Sequence, residues 1–358
     1  MDSSHTIEDL KMKQALSLSL KIALTRDRIR QWVFEYGVEG VFISYSGGKD
    51  STVLLHIARE LYPNMLAVFV DTGLEYPEIR EFVKATPNVE WLKPKRNFKQ
   101  TIEKYGYPFI SKEVSGIVYG ARFWLKKHGY FEDKEHLYDY REGGTVQYRQ
   151  LMGKYETRKT TKFTMRYNPI KYQFFLEAPF EISNRCCGIM KKAPMHLFSE
   201  KAERHPITAQ MASESRLRTA QWLQHGCNGF DMKYPISNPM SFWTEQDVLL
   251  YSKLYNVPLA PPYGNIILTE GEEAELSADK SILDKRPLLD TTGCKRTGCL
   301  FCGFGCHLEK PNDARFLRLK ETHPQLYDYL MRPKEQGGLN YKEVIDWINL
   351  RGGFDIKY

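Results

Sequence analysis

The sequence predicts an α/β fold, a twisted parallel sheet with helices on both faces, and three observations carry that prediction. Apolar runs of strand length lie at residues 40–45, 65–70 and 89–92. Helical patterns at 51–61, 77–84 and 98–105 alternate with them, as strands and helices do when helices cover a parallel sheet. The chain is also large enough, at 358 residues with 42% hydrophobic content, to bury a core in one large domain or two smaller ones.

Each element follows from local signals. Residues 6–36 contain no helix breaker, and Leu10, Met12, Ala15, Leu16, Leu18, Ile22 and Leu24 fall near helical spacing, which predicts one or two leading helices. The strand at 40–45 runs into a Ser/Gly turn and then a helix. The second run ends at Asp71-Thr72-Gly73, and Pro77 stands at the start of the next helix, where a missing N–H costs nothing. After Ser111 the alternation fades into an insertion, residues 112–180, with mixed signals. Beyond it the patterns predict a helix at 188–201, a strand at 206–211 and a helix at 213–223. Thr244 opens an amphipathic helix over 243–255, with Asp247 three positions later to complete the cap. Pro258, Pro261 and Pro262 announce a loop, the acidic run 270–275 reads as exposed, and a helical section covers 313–331. No internal repeat or low-complexity tract is present.

Charge and targeting signals narrow the function classes. The start MDSSHTIEDLKMKQ lacks a basic region followed by an apolar stretch, and no run of about 18 uncharged apolar residues occurs, so a cytoplasmic protein with no membrane partner is expected. The net charge of +7 is unevenly placed: residues 91–180 hold 18 Lys or Arg against 9 Asp or Glu, together with ten tyrosines. Cations interleaved with aromatics suit DNA or RNA, while a solvated surface is the plainer reading of the same composition.

The sharpest motif is Ser46-Gly47-Gly48-Lys49-Asp50-Ser51, set between an apolar strand and a helix. Paired glycines let backbone N–H groups approach an anion, the following helix presents its positive end there, Ser46 and Ser51 add hydroxyls, and Lys49 adds a mobile charge. The spacing is not that of a Walker A loop. It resembles the SGGxDS pyrophosphate loop of the PP-loop superfamily, with its adenine nucleotide alpha hydrolase-like fold. The resemblance implies ATP or a related adenine nucleotide at Ser46, Gly47, Gly48, Lys49, Asp50 and Ser51, with Lys49 and Asp50 as the catalytic pair. Asp71, Thr72 and Gly73 end the next strand, where an open parallel sheet places ligands, and a similar segment borders the nucleotide in that family.

Seven cysteines are an odd number, and six fall in two groups, which suits a reducing compartment and a metal site better than a disulfide framework. Cys294, Cys299, Cys302 and Cys306 alone have spacings that fit zinc or a cluster. A second set follows from resemblance. Cys186-Cys187 with a basic residue and Pro194 downstream, paired with Gly298-Cys299-Leu300-Phe301-Cys302, is similar to the motifs of cluster-bearing reductases in the phosphoadenosine phosphosulfate (PAPS) reductase family. That resemblance implies a 4Fe–4S cluster on Cys186, Cys187, Cys299 and Cys302, with Lys191 or Lys192 moderating its charge.

Glu214-Ser215-Arg216-Leu217-Arg218 resembles the same family's E-S-x-x-R element, which puts Arg218 opposite phosphate or sulfate. Met211 stands where the family has a further arginine. The segment from Asn238 to Val248 resembles N-P-L-x-x-W-x-x-x-D-V, to which we assign packing. The resemblance runs from about Gly40 to Glu309, and with the local patterns it predicts three domains: residues 1–36 as N-terminal helices, 37–255 as the PP-loop nucleotide-binding domain with its basic insertion 112–180, and 256–358 as a Cys-rich segment with C-terminal helices.

Two reactions fit such a protein. Adenylyl transfer from ATP with Mg²⁺ prepares an acceptor for a sulfur donor, whereas a reductase attacks PAPS with a thiolate and draws electrons from thioredoxin. The family's reductases end in an E-C-G-L-H tail, and no cysteine follows Cys306 here. The expectation is therefore ATP-dependent sulfur transfer or nucleotide modification, similar to the PP-loop subunit of DNA phosphorothioation systems. A true reductase and a non-catalytic nucleotide- and cluster-binding module are the alternatives.

Overall fold

The computed structural model describes residues 5–154, 169–270 and 288–358. Most of the acidic run 270–275 and residues 155–168 of the basic insertion lie outside the described residues. The chain divides into two compact units: Met1–Pro94 with Ala193–Gly298, and Lys95–Lys192 with Cys299–Tyr358. Both units are discontinuous in sequence, so they cut across the three consecutive domains expected from the sequence. The insertion and the C-terminal helices share one core.

Ten strands occur among the described residues: β1 (Val41–Tyr45), β2 (Ala67–Val70), β3 (Val89–Leu92), β4 (Phe109–Ile110), β5 (His205–Ile207), β6 (Asn228–Gly229), β7 (Ile236–Ser237), β8 (Ile266–Glu270), β9 (Leu288–Thr291) and β10 (Gly303–Phe304). The first unit is built on a six-stranded sheet of order β3-β2-β1-β5-β7-β6. All neighbouring pairs are parallel except β6 with β7. This is the parallel sheet flanked by helices that the sequence predicts. β1 and β2 are buried almost throughout, which explains why they read as continuous apolar runs rather than alternating ones.

The stretch 6–36 forms two helices, Ile7–Ala15 and Leu18–Tyr36. Thr6 and Asp9 form a reciprocal cap on the first, and Ser17 caps the second. Leu18, Ile22, Ile29, Trp32 and Val33 bury one face of the longer helix in the core of the first unit. The predicted strand at 206–211 is shorter, ending at Ile207, because the chain turns into a 3₁₀ segment at Ala212–Glu214. The helical section 313–331 divides into Arg315–Thr322 and Pro324–Met331 at a proline that opens the second helix.

The second unit centres on helix Lys112–Lys127, in the stretch where sequence signals were mixed. Its interior glycines Gly116 and Gly120 lower its intrinsic propensity, so tertiary packing stabilises it. Arg122, almost fully buried, donates to the carbonyls of Phe175, Ala178 and Phe180 and fastens the following segment to this helix. Helix Tyr341–Gly352 closes the same core, with the Tyr341 hydroxyl donating to the Phe301 carbonyl at 2.6 Å. No helix among the described residues is long and apolar enough to cross a membrane.

Candidate functional site: a phosphate loop and a thiol group

The phosphate loop leaves the C-terminal end of β1, which lies between β2 and β5 in the sheet. β1 is the point from which the strand order runs outward both ways, and open α/β sheets bind ligands at such a switch point. Gly47 has φ +69°, and a Cβ there would lie 2.8 and 2.9 Å from the side chains of Val83 and Ile79. Only glycine fits that turn. Gly48 caps helix Lys49–Leu61. Ser46 Oγ lies 3.0 Å from Ser51 Oγ, and Ser51 Oγ donates to the Gly48 carbonyl at 2.9 Å, so the two serines pin the loop to the first helical turn.

Beside this loop opens a cleft of about 460 Å³ in the first unit. Ser46, Gly48, Lys49 and Asp50 form one wall; Gly47 and Ser51 shape the loop from behind. The Lys49 side chain is 3% exposed, and its Nζ meets Glu245 Oε1 at 3.0 Å, Asp50 Oδ1 at 3.7 Å and the Lys295 carbonyl at 3.0 Å. Burial works against the ammonium charge, yet Asp50, Tyr263 and Glu245 outweigh it and raise the pKa. Burial raises that of Asp50, partly offset by Lys49. Asp50 Oδ1 is buried with no hydrogen-bond partner among the described residues.

Among the lining residues that escaped sequence reasoning are Glu245, Tyr263, Arg296 and Thr297. Glu245 belongs to the segment read as packing. Its helix, Glu245–Leu254, starts where it does because Thr244 and Asp247 cap each other, and Asp247 in turn meets Lys21 Nζ at 2.6 Å with both side chains fully buried. The N–P–M–x–x–W–T–E pattern therefore hid a charged contact inside a packing signature. Tyr263 and Arg296 had no signal beyond the proline loop and the neighbouring cysteines.

Arg218 ion-pairs with Glu214, itself a cleft residue, and its pKa falls through burial and through the nearby Arg296. Met211, the departure from the family pattern, lines the cleft as a buried apolar side chain. Asp71, Thr72 and Gly73 stand outside the cleft lining and satisfy one another locally. Asp71 accepts from Arg80 at 2.8 Å and from the Gly73 N–H, and Thr72 bonds Glu75.

The second unit holds Cys186, Cys187, Cys299 and Cys302 near one another. All of the last three act on Cys186: a hydrogen bond with Cys187, burial and the charges of the other thiols push its pKa up. The same hydrogen bond lowers that of Cys187, helped by Lys112 and Lys191. Burial pushes Cys302 up to about 11 and Cys306 up to about 12. Cys306 is spent on a hydrogen bond to the Gly303 carbonyl, and Cys294 lies in the first unit. No cysteine is in a disulfide, and no group of three or more His, Cys, Asp or Glu among the described residues is arranged to hold a metal ion.

Local geometry explains the thiol placement. Cys186 and Cys187 lie in a helical turn that continues as a π-helix over Gly188–Lys192, a geometry often found at functional sites. Asn184 donates to the Lys112 carbonyl at 2.9 Å, which docks the cysteine turn on the start of helix Lys112–Lys127. Ile110, just before that helix, has φ +65°, a strained conformation for a β-branched residue, and its carbonyl accepts from Gly305 N–H at 2.8 Å.

Within the described part of the basic stretch, three cations are committed to carboxylates. Lys126 and Arg122 pair with Glu181, Arg141 pairs with Asp133, and Arg122, Lys126 and Lys134 gather over the Phe131 ring.

The glycine-shaped loop thus leaves β1 at the switch point of a mostly parallel α/β sheet, and the comparisons with known proteins meet the chain at this place. Residues 40–113 match the family model of the phosphoadenosine phosphosulfate reductase domain. The chain is 24% identical over 266 residues to sulfate adenylyltransferase subunit 2 of Vibrio parahaemolyticus, covering 70% of this chain and 72% of that protein. It is 24% identical over 108 residues to tRNA(Ile)-lysidine synthase of Francisella tularensis, covering 30% of this chain and 24% of that one. A solved PAPS reductase from Candida auris aligns at 14% identity and TM-score 0.35, over 72% of this chain and 90% of that one. The chain spans 17% to 24% of the length of the first curated relatives it matches. The family-model match and the curated relatives bear out the resemblance to the PAPS reductase and PP-loop family, and the relatives with named activities are enzymes.

Proposed function

We propose that this chain binds ATP in the loop cleft and activates an acceptor by adenylyl transfer, so that a sulfur donor can then modify it. The observation that carries the reading is the concentration of charge at the cleft: Lys49 on the loop with Arg296 at the rim and Arg218 behind Glu214, facing a helix N-terminus. Such an array suits a polyphosphate better than a single phosphate. The relative with the 266-residue match is named for adenylyl transfer, which supports the same chemistry.

In this reaction an acceptor oxygen forms a bond to the α-phosphorus as the bond to the bridging oxygen of pyrophosphate breaks. The leaving pyrophosphate gathers charge, and Lys49, the loop N–H groups and the helix end stabilise it. The sulfur nucleophile then displaces AMP from the acceptor. The orphaned Oδ1 of Asp50 and the carboxylate of Glu245 fit a Mg²⁺ ion, whose part is to neutralise phosphate charge. Glu245 also holds the Lys49 ammonium in place.

By donor type the thiols of Cys186, Cys187, Cys299 and Cys302, none in a disulfide, suit a 4Fe–4S cluster, with Lys112 and Lys191 acting on Cys187 to offset charge, and the cluster reading rests on that chemistry rather than on a preformed metal geometry. When bound, such a cluster supplies electron transfer or sulfur-binding chemistry. We further infer a cytoplasmic setting, consistent with seven cysteines of which none is in a disulfide. A nucleic-acid acceptor is the partner that the basic, tyrosine-rich composition would suit.

A sulfite-forming reductase using thioredoxin is the second reading, favoured by the description of the family matched at residues 40–113. Parallel incubations separate them. Protein purified without oxygen receives ATP, a sulfur donor and DNA or RNA in one tube, and PAPS with reduced thioredoxin in the other. AMP and pyrophosphate in the first tube support adenylyl transfer; sulfite over many turnovers in the second replaces it with reduction.

A further inference from the structure

Two segments of the first unit run side by side next to the phosphate loop. Gly293 N–H donates to the Tyr263 carbonyl at 2.9 Å, Cys294 N–H to the Pro262 carbonyl at 2.8 Å, and Thr292 N–H to the Asn265 carbonyl at 3.0 Å. Gly264 turns between them at φ +67°, with no room for a Cβ: Thr292 Oγ1 would lie 2.2 Å away. The result is a stiff ladder that presents two hydroxyls to Lys49. The Lys49 N–H donates to the Tyr263 hydroxyl at 3.1 Å, and that hydroxyl is 2.7 Å from Thr297 Oγ1. The Lys295 carbonyl, two residues before Thr297, accepts from Lys49 Nζ.

The Lys49 amide is the first of helix Lys49–Leu61. Amides of a first helical turn have no carbonyl partner in their own helix, and at an anion loop they are the groups that grip phosphate. Here an internal hydroxyl holds this one, and an internal carbonyl shares the ammonium of the same residue. Burial keeps the Tyr263 hydroxyl protonated, so it is a neutral acceptor, weaker than a phosphate oxygen carrying charge.

We propose that the Tyr263–Thr297 hydroxyl pair is an internal competitor for the phosphate site, one that sets how much anionic charge a ligand must bring to claim the Lys49 amide. A nucleotide phosphate oxygen displaces the Tyr263 hydroxyl, and the hydroxyl reclaims the amide as the pyrophosphate product leaves. The inference rests on the nucleotide reading of this cleft and adds a residue that tunes its affinity.

The test is calorimetric titration of ATP and of inorganic pyrophosphate into the wild-type chain, Tyr263→Phe, Thr297→Val and Lys49→Ala. Phenylalanine keeps the ring that lies 5.5 Å from the Lys49 ammonium and removes only the hydroxyl. Loss of one neutral competing hydrogen bond predicts pyrophosphate binding about two- to tenfold tighter in Tyr263→Phe, with a smaller gain in Thr297→Val. Thr297 is half-exposed, so its variant tests the pair with little risk to folding. Weaker or unchanged binding in Tyr263→Phe, while Lys49→Ala still weakens it, overturns the competitor role alone. Absence of binding in the wild type and in both hydroxyl variants removes the nucleotide reading as well.

Discussion

The phosphate loop and the thiol group differ in how each is assembled. Six consecutive residues make the loop, and its chemistry is fixed by backbone: one glycine at positive φ, one at a helix cap, two serines bonded across the turn. The thiol group draws on two stretches, Cys186 with Cys187 and Cys299 with Cys302, and their meeting depends on the core formed by helices Lys112–Lys127 and Tyr341–Gly352. A site made of contiguous backbone tolerates loss of one side chain as a loss of affinity. A site made of four donors from separate segments is expected to fail as a whole.

The largest expected effect tests that difference at the thiols. Replacing Cys186, Cys187, Cys299 or Cys302 by Ser should remove nearly all iron and the visible absorption of anaerobically purified protein, whereas Cys294→Ser and Cys306→Ser should retain both. Iron analysis and optical spectra check this; zinc in place of iron, or dependence on Cys294 and Cys306, would move the site to the C-terminal cysteines alone. Next in size is the buried support beneath the loop. Lys21→Ala leaves Asp247 buried without its ion pair, which should cost about 3–5 kcal/mol and shift the denaturant midpoint accordingly. Nucleotide affinity should fall with it, because Asp247 caps the helix that delivers Glu245.

Lys49→Ala should weaken ATP binding about 10- to 100-fold through loss of a charge-assisted contact, with the unfolding transition retained, as calorimetry and thermal melting will show. Arg296→Ala is the smallest case. Its guanidinium is exposed at the rim, so binding should weaken only about two- to fivefold, and the difference should shrink as salt is added.

Legibility in the sequence follows the same division. The strands β1, β2 and β3 and the loop after β1 could be read because burial on both faces and paired glycines leave local signatures. Helix Lys112–Lys127 was obscured by two glycines and by polar residues that face buried partners, Arg122 above all. Glu245 was hidden because Thr244 and Asp247 around it read as a cap, while its role depends on Lys49, nearly two hundred positions earlier. The charge excess at 91–180 was legible as a number but not as a surface, since pairing with Glu181 and Asp133 consumes several of its cations. Asp71, a strand-end position that fits a ligand in outline, is ion-paired with Arg80, a contact the sequence pattern did not show.

The measurement that bears most directly on the central claim is product analysis with ATP labelled at the α-phosphate, using the wild-type chain and Lys49→Ala side by side with a sulfur donor and nucleic acid. Adenylyl transfer predicts labelled AMP and an equal amount of pyrophosphate from the wild type, with both falling at least tenfold in Lys49→Ala. ATP left intact by the wild type, alongside multiple-turnover release of sulfite from PAPS with reduced thioredoxin, would contradict it.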